Sequence, residues 1–296
     1  MAETPVPHLR YRLLMLDIDG TLLNEQGEIT PRTRRAIERA QAAGIVVALA
    51  TARRHYSAAL FAADLGLNGP VVSYDGALIR VHPSGELWHI DPLAALVGQA
   101  AVDAIARHGF QPLAQYNPAN GERILTGPQT GDTPWEAAYF SIFASQLERR
   151  PLDELCAGNG DPLRVVAFGP LERLALIADE LRPLPCQLYL NAMGTYGSAE
   201  LSVMSPTVGK GSALTLLSSR LGIAPAETMA MGDSFNDISM LRLAGLGVAM
   251  GQAPAEVRAV ARAQTLPNTQ DGVAYAIERY LLNGHYPGGE HAVLRK

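Results

Sequence analysis

Two carboxylates one residue apart, Asp17 and Asp19, close a short apolar run, Leu13-Leu14-Met15-Leu16, and are followed by Gly20-Thr21-Leu22. An apolar run bounded by polar residues reads as a strand buried on both faces. Acids at the carboxyl end of such a strand lie where open α/β sheets put their ligands. Three more stretches place chemistry-bearing residues at a strand end or a helix start: Thr51, Lys210, and Gly232-Asp233-Ser234-Phe235-Asn236-Asp237. The set supplies carboxylates, one hydroxyl and one ammonium, an inventory suited to metal-assisted phosphoryl transfer. A carboxylate is a competent nucleophile toward phosphorus, but it is anionic, so attack on a phosphate dianion requires neutralising charge. Mg2+ takes oxygen ligands, commonly one or two carboxylates plus the substrate's phosphate. Lys210 and the Thr51 hydroxyl suit the phosphoryl oxygens, and a second carboxylate beside the first suits acid and then base work.

The elements that must position these residues follow an alternating rhythm at both ends of the chain. Thr30 reads as an N-cap and Pro31 as the first residue of a helix, with Ala36, Ile37, Ala40 and Ala43 on its apolar face and Gly44 past its end. Ile45–Ala50 reads as a second buried strand, residues 54–65 as a helix, and Pro70–Ser73 as a third strand. This βαβαβ opening implies a parallel sheet with right-handed crossovers. Ala77–Val81 and Leu87–Ile90 read as a hairpin around Pro83-Ser84-Gly85. The middle of the chain mixes helices (93–107, 134–149, 171–181) with strands (110–116, 123–125, 163–168, 187–191, 196–204), the pattern of a separate α+β lobe. From Gly209 the alternation resumes, with helices at 210–221, 235–243, 253–263 and 271–282 and strands at 228–231 and 246–250. The fold expected is α/β: a Rossmann-like parallel-sheet core, residues 1–82 and 204–296, with an inserted α+β cap domain, 83–203, and a loosely held tail at 285–296.

DxDGTL, a strand-terminal Thr, a Lys and GDxxND, in that order, resemble the haloacid dehalogenase (HAD) superfamily. More narrowly, the chain is similar to the Cof-type phosphatases, which carry a type IIB α/β cap between the second and third motifs. The resemblance covers residues 12–282. It implies Asp17 as the nucleophile that becomes an aspartyl-phosphate and Asp19 as general acid/base with its backbone carbonyl on Mg2+. It implies Thr51, Lys210 and Asn236 as phosphate contacts, Asp233 as the acidic metal ligand beside Asp17 and Asp19, and Ala52, Arg53 and Asp237 as supporting residues. An acid at position 19, where ion-pumping ATPases of the superfamily carry Thr, argues for a phosphatase. The chain departs from the family at Ala52, where Gly is common, and at Asp75, where the family has Asn before Gly-Ala. An extra carboxylate near a phosphate site repels substrate unless it is paired or protonated. Substrate choice is expected in the cap, with Tyr116, Asn117, Asn191, Met193 and Tyr196 as candidates; Glu200 matches an acid that the family often carries, without an assigned role.

Composition narrows the alternatives. The chain has 296 residues, 48% hydrophobic and 18% charged, with net charge −5 and no basic block, so nucleic acid and anionic membranes are not expected partners. No apolar run approaches the roughly 20 residues of a membrane span. Met1–Arg10 lacks a signal-peptide core, and Cys156 and Cys186 form neither a metal pair nor a disulfide framework. A cytoplasmic monomer or homodimer acting on a small phosphomonoester is the expectation. Val208-Gly209-Lys210-Gly211-Ser212 is no Walker loop, because Met204 stands where the first Gly belongs and Gly211 where Ser/Thr must follow Lys. Gly245-Leu246-Gly247 does not complete a GxGxxG, and the histidines show no zinc spacing. Two other readings remain open from sequence: a phosphomutase or phosphotransferase using the same intermediate, and a phosphometabolite-binding protein without turnover.

Overall fold

The computed structural model describes residues 10–117, 121–129, 133–192 and 197–283. The expected tail at 285–296 and the cap candidates Met193 and Tyr196 lie outside the described residues. The chain divides into two compact units, Met1–His89 with Gly209–Lys296, and Ile90–Val208.

The first unit opens with β1 (Leu13–Leu16), α1 (Pro31–Ala42), β2 (Val46–Ala50), α2 (His55–Asp64) and β3 (Gly69–Ser73). Helix α1 starts as its sequence predicts: the Thr30 hydroxyl accepts from the Thr33 amide at 3.2 Å and Pro31 occupies the first turn. Beyond β3 the chain reverses into β4 (Leu78–His82), antiparallel to β3, and β5 (Leu87–Ile90), which extends the same sheet.

The second unit contains α3 (Ala95–Arg107), β6 (Leu113–Tyr116), β7 (Arg123–Thr126), α4 (Pro134–Ile142), β8 (Leu147–Arg149), β9 (Arg164–Gly169), α5 (Leu171–Leu181), β10 (Gln187–Asn191) and β11 (Ala199–Met204). Its sheet runs β10-β11-β9-β6-β7-β8. Residues 134–149 are not the single helix that their periodicity predicts. Helix α4 ends at Ile142, a short turn follows, and Leu147, Glu148 and Arg149 pair in parallel with Ile124, Leu125 and Thr126. Ladder pairing and burial of Leu147 against the Tyr139–Phe140 cluster outweigh local helix propensity there.

The chain returns to the first unit with α6 (Lys210–Leu221), β12 (Thr228–Gly232), α7 (Ile238–Leu243), β13 (Leu246–Ala249), α8 (Ala255–Val260), β14 (Ala263–Gln264) and α9 (Gly272–Ala276), which runs on as a wider turn to Leu282. The expected helix over 253–263 is shorter because Arg262 and Thr265 donate to Gly247 and Ala249 carbonyls, adding β14 beside β13. The sheet order is β14-β13-β12-β1-β2-β3-β4-β5, with parallel pairing from β14 through β3. Strand alternation divides β1 between two cores. Leu14 and Leu16 pack with α1, α2 and α9, while Leu13 and Met15 pack with α6, α7 and α8. A strand covered on both faces offers chemistry only at its ends, and open α/β sheets put their ligands at the carboxyl end. Among the described residues no helix is long and apolar enough to cross a membrane.

Candidate active site

β1 ends at Leu16, and Asp17 continues the ladder by donating its amide to the Met231 carbonyl at 3.0 Å. The chain then turns wide, closed by the Leu23 amide on the Ile18 carbonyl at 3.0 Å. The turn separates the two acids that a continued strand would have aligned. Asp17 stays buried at 5% exposure, whereas the Asp19 side chain is 51% exposed. Gly20, at φ +77°, makes the turn possible and leaves room for its neighbour: a Cβ there would lie 2.3 Å from Oδ2 of Asp233.

Lys210 begins α6 and its side chain is fully buried. Its Nζ donates to Oδ1 of Asp17 at 2.6 Å and to Oδ1 of Asp237 at 2.5 Å. Burial alone would push its pKa down, but the carboxylates of Asp17, Asp237 and Asp75 outweigh that and hold it above its ordinary value. Asp237 spends its other oxygen on the amides of Asp233 and Ser234, both at 2.9 Å. That bond shapes the turn leaving β12 and presents Asp233, whose Oδ1 accepts from the Thr21 hydroxyl at 3.2 Å. The ligand atoms of Asp17, Asp233 and Asp237 all lie within 4.8 Å of one another.

These three carboxylates form a cluster able to bind a metal. The donor set fits a hard cation. Asp237 is committed on both oxygens, whereas Asp17 and Asp233 each keep one oxygen without a hydrogen bond among the described residues. Burial first, then the neighbouring carboxylates, pushes Asp17 well above the usual carboxylate range against the pull of Lys210. The same causes, burial and then Asp237, raise Asp233 to about 6. A site that penalises its own negative charge in this way calls for positive charge. Asp19, expected to meet the metal through its backbone carbonyl, has its carboxylate held by Arg53, whose Nε and Nη2 donate to its two oxygens at 2.7 and 2.6 Å.

Thr51 follows β2 and is buried, its amide on the Val72 carbonyl at 3.0 Å and its hydroxyl oxygen accepting from the Arg53 amide at 3.1 Å. Half-buried Ala52 sits between them in this turn, and the Arg53 guanidinium lies 5.0 Å from the centroid of the Phe61 ring. Asn236 donates its amide nitrogen to Oδ1 of Asp75 at 2.8 Å. Sequence reasoning did not single out Thr21 as a partner of Asp233, although the Thr sits in the same DxDGT stretch, nor the Asp75–Asn236 bond, whose partners are 161 residues apart.

A family model described as haloacid dehalogenase-like hydrolase matches residues 14–277. The chain belongs to that family. Among haloacid dehalogenase-like hydrolases it is similar to the phosphatase YwpJ of Bacillus subtilis, 30% identical over 292 residues, covering 91% of this chain and 100% of that protein. The pyridoxal phosphate phosphatase YbhA of Escherichia coli is 27% identical over 278 residues, with 92% and 99% covered. A solved haloacid dehalogenase-like hydrolase from Bacteroides thetaiotaomicron superposes with a TM-score of 0.75 at 28% identity, covering 91% of this chain and 99% of that one. The enzyme is a phosphoric monoester hydrolase, and its α/β core with a parallel sheet is the fold of this family.

Proposed function

We propose that this enzyme is a Mg2+-dependent phosphatase that hydrolyses small phosphomonoesters through an aspartyl-phosphate on Asp17. The supporting observation is the state of Asp17 itself: buried at a strand end, one oxygen fixed by Lys210, the other without a hydrogen bond among the described residues. Oδ2 of Asp17 attacks phosphorus while the ester P–O bond breaks, and the leaving oxygen takes a proton from the Asp19 carboxyl. Asp19, now a carboxylate, removes a proton from water as that water attacks phosphorus. The P–O bond to Asp17 then breaks, releasing inorganic phosphate and restoring both acids. Lys210 stays an ammonium throughout and offsets charge gathered on the phosphoryl oxygens, with the Thr51 hydroxyl and the Asn236 amide as further contacts. Bound by Asp17, Asp233 and the Asp19 carbonyl, Mg2+ would supply the remaining positive charge that an anionic nucleophile needs against a phosphate dianion.

Sugar phosphates lead as substrates, followed by phosphorylated cofactors; a relative named a pyridoxal phosphate phosphatase supports the second class. The free thiols Cys156 and Cys186 accord with a cytoplasmic setting, and a monomer or homodimer is the proposed state. The test is release of phosphate from p-nitrophenyl phosphate and from a panel of sugar phosphates and pyridoxal phosphate, with and without Mg2+, for wild type and Asp17→Asn. Mg2+-dependent turnover that disappears in Asp17→Asn is expected. A wild type inert on the whole panel would overturn the phosphatase reading, and phosphoryl transfer to an added sugar in place of water would favour a transferase.

A further inference from the structure

Asp75 is a buried carboxylate near Lys210 to which the reaction above gives no part. It is 2% exposed and sits in the turn Tyr74–Gly76 between β3 and β4. Tyr74 (φ +50°) and Asp75 (φ +53°) both occupy the left-handed region. Two successive non-glycine residues persist there only when their surroundings over-determine the conformation. Those surroundings belong to the candidate site. The Tyr74 amide donates to the Arg53 carbonyl at 2.9 Å and the Asp75 amide to the Thr51 carbonyl at 3.0 Å. On the far side, a Cβ on Gly76 would lie 2.7 Å from the carbonyl oxygen of Gly209, the residue before Lys210. The turn is therefore wedged between the loop carrying Thr51 and the start of α6.

The Asp75 side chain reaches a third part of the site. Its Oδ1 accepts from Nδ2 of Asn236 at 2.8 Å. An ionised carboxylate only accepts hydrogen bonds, so it admits the nitrogen end of that amide and rejects the oxygen end. The consequence is visible on Asn236: its Oδ1 is buried without a hydrogen-bond partner. Buried acceptors are rarely left so, and a native exception needs a reason. Nδ2 also carries a second hydrogen that no hydrogen bond among the described residues uses.

We propose that Asp75 is a positioning residue that locks the amide of Asn236 with one N–H engaged and the second N–H presented to a phosphoryl oxygen of the substrate. This rests on the phosphatase reading for the identity of the ligand. It gives the departure from Asn at this position a function: a carboxylate fixes the amide one way round, where an amide at 75 could pair with either end.

A double-mutant cycle tests it. Asp75→Gly removes the carboxylate without straining a left-handed backbone, and Asp75→Asn keeps an acceptor oxygen. Asp75→Gly is expected to raise KM for a phosphomonoester by roughly fivefold with kcat within about twofold, the signature of lost phosphate binding rather than a disordered site. Asn236→Ala is expected to do the same, and the double variant to add less than about twofold, since the two act as one unit. Asp75→Asn, which keeps an acceptor oxygen but can pair with either end of the amide, should recover only part of the loss. Additive effects in the cycle, or an unchanged KM in Asp75→Gly, would overturn the proposal. The same four proteins titrated with inorganic phosphate by calorimetry give the cycle without turnover. A wild type that binds phosphate but hydrolyses nothing thus counts against the phosphatase reading alone, while additive phosphate affinities, or no phosphate binding in wild type, count against Asp75.

Discussion

Arg53 grips Asp19 with both prongs of its guanidinium, Nε on Oδ2 at 2.7 Å and Nη2 on Oδ1 at 2.6 Å, while a third nitrogen reaches the Ser57 hydroxyl at 3.1 Å. The planar fork matches a carboxylate in a way that an ammonium cannot. The side chain proposed as acid and base is held by a partner two residues past Thr51, the residue proposed to contact phosphate. One prong must release before an Asp19 oxygen can carry the proton for the leaving group.

Arg53→Lys keeps the charge and loses the fork. Steady-state kinetics should show kcat/KM reduced by about tenfold, equivalent to about 1.4 kcal/mol of transition-state stabilisation. The Asp19 side chain is 51% exposed, so the pair contributes little to folding and the melting temperature should stay within about 2 °C of wild type. A large loss of melting temperature with unchanged kcat/KM would show the pair to be structural.

Lys210 is the opposite case. Its replacement by Met leaves Asp17 and Asp237 buried without their shared counter-charge, and breaking such a pair from one side costs about 3–5 kcal/mol. Urea unfolding at pH 7.5 should register that loss. The deficit should narrow as pH falls and stranded Asp17, already raised by burial, takes up a proton; a deficit independent of pH would contradict the charge explanation.

The raised pKa of Asp233 fixes the sign of a second pH effect. A carboxylate whose folded pKa, about 6, exceeds its unfolded value binds its proton more tightly when folded. Its contribution is therefore fully present below about pH 4 and is lost as pH rises through 6, an effect of up to ~3 kcal/mol in the metal-free protein. A divalent cation favours the ionised form and reverses the trend. Millimolar Mg2+ should raise the melting temperature by several degrees at pH 7.5 and hardly at pH 4.5, and Asp233→Asn should lose most of the shift. Equal shifts at both pH values would place the ion elsewhere.

Gly20→Ala examines the same carboxylate through the backbone. The new methyl would meet Oδ2 of Asp233 at 2.3 Å from a residue held at φ +77°. Strain and displacement together should cost about 2 kcal/mol of stability, and the Mg2+-induced rise in melting temperature should shrink with it. Wild-type stability and metal response in Gly20→Ala would mean that the turn relaxes at no cost.

Local chemistry was legible in the sequence wherever neighbours in the chain create it. Thr30 and Pro31 announced α1, the apolar run ahead of Asp17 announced β1, and alternating elements placed Thr51, Lys210 and Asp233 at strand ends or helix starts. Contacts between distant residues were not legible. Ala263–Gln264 becomes a strand because β13 offers a ladder, and Leu147–Arg149 leaves a helical periodicity because β7 does. Nothing near Asp75 announces an amide 161 residues away. A family motif located Asp19 without showing that its carboxylate is drawn to Arg53.

The sheet order sets β12, β1, β2 and β3 side by side, with two-residue β14 at one border and β5 at the other. Loosening of a sheet starts at its borders, where each strand has a single neighbour. Asp17, Thr51 and Asp233 directly follow β1, β2 and β12, whose amides should be among the slowest in the unit to exchange with solvent. Border strands can come and go while Asp17, Thr51 and Asp233 keep their spacing, so warmth would erode the rim of this enzyme before it blunts the chemistry.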